Sequence, residues 1–336
     1  MLFHARASAF CVQYLFWSLV LAGGIAGMVS EAGAVEGTTS AGPIGGNDIR
    51  SAVLPPPGLY GGIVGLASTV GELDDGKGQP EPNLNAVNLT AKIGGPFVAY
   101  VPNVGIFGGS VGVVGFFPIG EECGQLVSSI PDRCVSGAAD PYVEVAWSRS
   151  FGALRPSRDP SAFPILEGLA VEFSLGAVVP VGLYNAQTQV MNGVTLGNNT
   201  WDIAPAVAVT YTTPPLLAEG TEFSVKTYWD NFLTNPLTQY HAGTMIDTDF
   251  AVTEHIGRFQ IGPAGSYAFQ VDDDEQYDAI VPPDGRRLNL LVLGCVLNYD
   301  MPEYSAAVKI KALDTVFVEN GPVSKTIIVT LAKKFF

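Results

Sequence analysis

Residues 259–270 read FQIGPAGSYAFQ. Phe259, Ile261, Pro263, Gly265, Tyr267 and Phe269 alternate with Gln260, Gly262, Ala264, Ser266, Ala268 and Gln270. Successive side chains of a strand point to opposite faces, so this segment has one greasy face with aromatic ends and one small, hydrophilic face. The pattern recurs about a dozen times between Pro57 and Phe336. Sheets with a greasy exterior and a polar interior belong in lipid, and only a closed sheet leaves no backbone edge unsatisfied there. The chain is expected to be all-β: a transmembrane antiparallel up-and-down β-barrel.

Working outward, alternation marks strands near 57–67, 87–101, 105–118, 140–152, 166–180, 199–213, 221–233, 238–252, 258–271, 286–300, 304–317 and 325–336, about 12 in all. An even count closes a bacterial barrel with both termini in the periplasm. The turns 102–104, 256–257 and 301–303 are short, whereas 68–86, 119–139, 181–198 and 271–285 are long and polar, as external loops are. Two connections break this rule: 152–164 is a long periplasmic turn and 234–237 a short external one. Alternation is weak at 57–67, 87–101 and 286–300.

Mid-strand charges fall on the inward side. The expected lumen-lining set is Glu144, Glu172, Asp202, Glu222, Lys226, Asp230, His241, Asp247, Asp249, Lys309 and Lys311. A lysine at the lipid midplane would cost about 2–4 kcal/mol, so this sorting supports the sidedness. Outward rows include Trp201, Ile203, Pro205, Val207, Val209 and Tyr211, and the last strand favours Ile327, Val329 and Leu331 outward, in register with Phe335.

The amino terminus carries Arg6, an apolar segment from Phe10 to Val29, and Ala32-Gly33-Ala34, the order of a secretory signal spanning residues 1–34. Residues 35–56 are then a loose periplasmic lead-in, and 57–336 the barrel. No later stretch is an apolar run long enough for a transmembrane helix. The net charge of −15 argues against nucleic-acid partners. Cys123 and Cys134 bracket a polar segment and are expected to form a disulfide in an exported protein. Cys295 reads as a small packing residue within a strand. The terminal Phe336 resembles the assembly signal read by the outer-membrane machinery.

LPPPGLY at 54–60, IGPAGSYAFQVDDD at 261–274 and GRRLNLLVLGCVLNYD at 285–300 resemble the outer-membrane family known for the MetA pathway of phenol degradation. Ser266 intervenes before Tyr267, where family members carry Tyr directly after the second Gly. The resemblance implies a transport barrel associated with aromatic catabolism, and it supplies no catalytic residues.

The mature chain keeps only His241 and His255 and has no G-x-S-x-G, so no catalytic residues are assigned and an enzyme is not expected. Asp272-Asp273-Asp274-Glu275 lacks the spacing of a calcium loop, so no metal and no cofactor is expected. The expectation is a channel in the Gram-negative outer membrane, with the lipid bilayer and small, hydrophobic or aromatic solutes as its partners. The alternative is a structural or adhesive barrel with a closed lumen.

Overall fold

The computed structural model describes residues 46–336; the expected signal, residues 1–34, lies outside the described residues. In chain order the strands are β1 (Gly58–Asp74), β2 (Asn88–Val101), β3 (Gly105–Ile106), β4 (Gly109–Phe116), β5 (Ile119–Gln125), β6 (Arg133–Ala138), β7 (Tyr142–Ser150), β8 (Ala153–Arg155), β9 (Ile165–Val178) and β10 (Asp202–Thr212). They continue as β11 (Thr221–Phe232), β12 (Tyr240–His241), β13 (Met245–Ile256), β14 (Phe259–Gln270), β15 (Glu275–Gln276), β16 (Ala279–Ile280), β17 (Asn289–Met301), β18 (Ala306–Glu319) and β19 (Gly321–Lys334). A short helix, α1 (Ala186–Asn192), lies in the loop after β9.

Twelve of these strands form the wall. Antiparallel pairing runs β4-β7-β9-β10-β11-β13-β14-β17-β18-β19-β1-β2, and β2 pairs back with β4 to close the ring. The expected count and parity hold, including the long turn 151–164 at the end that carries the chain terminus. At that end Leu59 N donates to Phe336 O at 2.9 Å and Phe335 N to Leu59 O at 2.8 Å. The tight β13–β14 turn depends on Gly257, whose φ of 56° favours a residue without Cβ. The long turn is pinned by Glu219, which accepts from Ser157 Oγ and Arg158 N at 2.7 Å and from Gly257 N at 2.8 Å. Burial pushes the Glu219 carboxyl up, but these donors and the charge of Arg158 outweigh it and hold the group below the usual carboxylate range.

Sidedness is as expected. In β10, Asp202, Ala204, Ala206, Ala208, Thr210 and Thr212 are buried while the residues between them face outward. In the last strand Ile327, Val329 and Leu331 are 48%, 42% and 44% exposed, whereas Ile328 is 3% exposed, which fixes the register shared with Phe335. Outward rings sit near both ends, Trp201 and Trp229 at the loop side, Tyr211 and Phe259 at the terminal side. Eleven residues from Trp201 to Tyr211, tilted as barrel strands are, span roughly 25 Å, which matches the apolar band of such barrels.

The sector from β2 to β7 is less regular. The wall strand after β4 breaks at Phe117-Pro118 and continues as β5, so β2 pairs with β4 over its lower half and with β5 over its upper half. β5 and β6 form a hairpin that rises beyond the ring, closed by the Cys123–Cys134 disulfide between residues directly opposite one another. The segment expected as loop 119–139 thus contains two strands. The loop carrying α1 folds against this hairpin: Asn192 Nδ2 donates to Gly124 O and Pro131 O, both at 3.0 Å, and Thr195 N donates to Glu122 Oε2 at 3.0 Å. Gly124 permits that approach, since a Cβ there would lie 2.5 Å from Asn192 O. Cys295 takes an outward, half-buried position on β17.

One expectation is corrected. Residues 46–56, expected in the periplasm, lie inside the barrel, where Asp48 and Ala52 are both 0% exposed. The physical reason is charge: the lumen wall offers partners for both Asp48 and Arg50.

Candidate functional site

The lumen wall is built from the inward positions of consecutive strands. β11 contributes Glu222, Ser224, Lys226, Tyr228 and Asp230, and β13 contributes Asp247, Asp249, Ala251, Thr253 and His255, all buried. Small residues separate the long ones. Ala208 of β10 stands between Lys226 and Glu172 in the register, which lets the lysine cross a whole strand. Its Nζ lies 2.9 Å from both Glu144 carboxylate oxygens and 2.9 Å from Glu172 Oε1. Tyr142 OH donates to Glu144 Oε2 at 2.5 Å, and the ammonium stands 5.1 Å from the Tyr228 ring centre. One cation thus ties together three strands, and its burial is tolerated because its charge is met on two sides.

The segment 46–57 completes the lower lumen. Asp48 receives Lys309 Nζ at 3.1 Å and Lys311 Nζ at 2.8 Å. Arg50 Nη2 lies 3.0 Å from Asp300 Oδ2, and Arg50 N donates to Glu222 Oε1 at 2.7 Å. Glu222 also meets His255 Nε2 at 3.3 Å. Asn47 N donates to Asp249 Oδ2 at 2.7 Å, and its side-chain amide donates to Tyr228 OH at 2.5 Å. Asp247 accepts from Ser266 Oγ at 2.7 Å. Higher up, Asp202 and Asp230 occupy diagonal positions on neighbouring strands.

The structure therefore brings ten of the eleven expected lumen residues together: Glu144, Glu172, Asp202, Glu222, Lys226, Asp230, Asp247, Asp249, Lys309 and Lys311 face inward. His241 is the correction. The expected strand 238–252 begins only at Met245, and His241 belongs to β12, which pairs with β15 in a small external sheet and places His241 opposite Glu275. The wall strand stops there because Gly243 and Asp274 divert the chain, Gly243 N donating to Asp274 Oδ1 at 2.9 Å. Asp274 also accepts from Tyr240 OH at 2.6 Å and Gln270 Nε2 at 2.7 Å. Burial pushes its carboxyl up to about 6 against the pull of those donors and of Arg286. The four consecutive acids are split between roles, with Asp273 bound to Arg287 at 3.0 Å, and among the described residues no group suited to a metal ion is found.

Beneath this sheet lies an apolar cluster on the inner side of the wall: Phe232, Tyr240, Ala242, Met245, Ala268, Leu288, Leu290, Val292, Leu313 and Val318. Sequence reasoning missed it, along with Asp48, Arg50, Tyr142, Tyr228 and Asp300. The clue for the first pair was their separation by one residue, the spacing of charges that share a strand face.

The fold is similar to that of the COG4313 outer membrane channel from Pseudomonas putida F1, with a TM-score of 0.68 and 13% identity over 86% of this chain and 99% of that one. Weaker likenesses include the transport unit of the autotransporter AIDA-I from Escherichia coli (TM-score 0.42, 10% identity, 86% and 93% covered) and the P. putida toluene transporter TodX (TM-score 0.40, 10% identity, 92% and 99% covered). No curated protein sequence matches the chain. A closed 12-stranded wall with an apolar exterior places the protein in the bacterial outer membrane. A family model covers most of the wall, and the chain belongs to the family described as "Putative MetA-pathway of phenol degradation", matched over residues 71–331.

Proposed function

We propose that the protein is an outer-membrane channel for the passive uptake of small hydrophobic or aromatic molecules. The observation that carries this reading is the graded interior. The external mouth is apolar around Phe232, Tyr240 and Met245, and the lumen below it is charged but lined between the charges by Ala204, Ala206, Ala208, Ala251 and Ala264. An aromatic solute meets apolar surface first and small side chains afterwards. The family's association with phenol degradation and the channel described for the P. putida F1 neighbour support the same reading. Diffusion of this kind needs no cofactor. The two histidines lie at opposite ends of the barrel, and His255 serves an ion-pair network rather than a nucleophile. In the same reading, residues 1–34 are the export signal and the exposed Phe336 is offered to the assembly machinery.

The test is uptake of radiolabelled phenol by vesicles with a lipopolysaccharide outer leaflet, with and without the purified protein. Several-fold faster entry is expected with protein, and equal rates would overturn the channel. The second reading, a structural barrel with a closed lumen, is favoured by the inserted segment 46–57 and would be left standing by that result.

A further inference from the structure

We infer that residues 46–57 are a withdrawable plug: a tethered segment that closes the lumen and that can leave it without opening the wall. This rests on the reading of the lumen as a solute path. Three features carry it. First, the segment is no part of the sheet. Its wall contacts are made with side chains, including Asn47 with Asp249 and Tyr228, Arg50 with Glu222 and Asp300, Ser51 N with Ser224 Oγ at 3.1 Å, and Ala52 N with Thr210 Oγ1 at 3.1 Å. Withdrawal therefore breaks no ladder hydrogen bond, and the barrel keeps its ring.

Second, the plug is matched to the wall in charge. Asp48 is the shared counter-ion of Lys309 and Lys311, and Arg50 is that of Glu222 and Asp300. When the segment leaves, the basic row of β18 faces the acids Glu222, Asp249 and Asp300 across an emptied lumen. Opposed charges of this kind hold and order water, as a conducting constriction requires. The wall is thus equipped for both states: ion-paired when filled, hydrated when empty.

Third, the attachment is a stiff hinge. Pro55, Pro56 and Pro57 join the segment to β1, and Tyr60 OH holds Pro56 O at 2.5 Å at the periplasmic rim. Small residues meet the plug where it is thickest, Ala52 against Ala170 and Ala208, and Ile49 against Ala251 and Ala264. Such contacts guide a segment without locking it.

The test is potassium chloride conductance of the purified full-length protein in planar bilayers. Deleting residues 46–53 should raise the time-averaged conductance roughly tenfold or more, since a minor open state is populated at no more than about one part in ten. The double variant Ala52→Cys/Ala170→Cys gives the same answer within one folded protein: silent when oxidised, conducting again after reduction. Lys309→Gln/Lys311→Gln should raise the open fraction, and adding Asp48→Asn should raise it no further. The inference is overturned if the deletion variant, folded by heat-modifiability, conducts no more than the parent, or if the oxidised double-cysteine protein conducts as the deletion does. Because the readout is ion current, it stands apart from phenol uptake: a plug that gates current with no effect on phenol would sink the substrate and keep the gate.

Discussion

The wall from β9 to β14 and the sector from β2 to β7 obey the same pairing rules but read very differently in sequence. In β10, β11 and β13 every second residue is buried and either small or polar, because what lies across the lumen from them is charge. In the other sector protein packs against the inner face. The α1 loop brings Val194 and Leu196 to the β2–β5 wall, whose inward residues Leu89 and Ala91 are almost fully buried. With both faces of a strand apolar, the alternation in hydropathy disappears although the alternation in direction remains. The same holds for β17, where Leu290, Val292 and Val296 pack inward. Alternation therefore reports what fills a barrel as much as where its wall is.

The comparison predicts a hierarchy of effects. The largest belongs to the charged sector: Lys226→Met leaves Glu144 and Glu172 buried side by side without their cation, and should lower stability by about 3–5 kcal/mol, measured by urea unfolding in detergent micelles. A loss near zero would mean that water enters this part of the lumen and the ion pair is not what organises it. Next, Val207→Lys on the lipid face of β10 should cost about 2–4 kcal/mol, whereas the inward neighbour Ser224→Lys should act through crowding of the plug instead. An equal response of folding into vesicles and of conductance for both variants would erase the distinction between faces. The smallest effect is expected in the bent sector. Reducing the Cys123–Cys134 link releases a short loop above the ring and should cost roughly 2–3 kcal/mol. The wall should stay folded, as read by heat-modifiability on gels.

A fourth expectation concerns pH at the periplasmic rim. The Glu219 carboxyl is held below its ordinary value, so it adds stability above that value and loses it as pH falls toward the depressed one. Proteolysis within 151–164 should accordingly rise under acid, and Glu219→Gln should remove that dependence. A cleavage rate that stays flat in the parent between neutral and acid pH would show that the pinned turn owes nothing to this carboxylate.

What was legible follows from these contrasts. FQIGPAGSYAFQ announced a two-faced strand because its faces meet different media, and the final register around Phe335 was readable for the same reason. The inward charges were legible because a misplaced charge in lipid costs several kcal/mol. His241 was misplaced because polarity at even spacing continues past Met245 into a loop, and no periodic rule marks where a wall strand gives way to an external sheet.

By itself the sequence determined the sidedness of the wall, its closure, the parity of its strands and the disulfide of the β5–β6 hairpin, since each is a local consequence of pleat, solvent or spacing. Only the tertiary structure decided that residues 46–57 occupy the lumen, that Lys226 reaches two glutamates across an alanine, and that the external mouth is an apolar cluster. These are meetings of groups up to about 260 residues apart along the chain, and a one-dimensional pattern records the direction in which a side chain points without recording what it finds there.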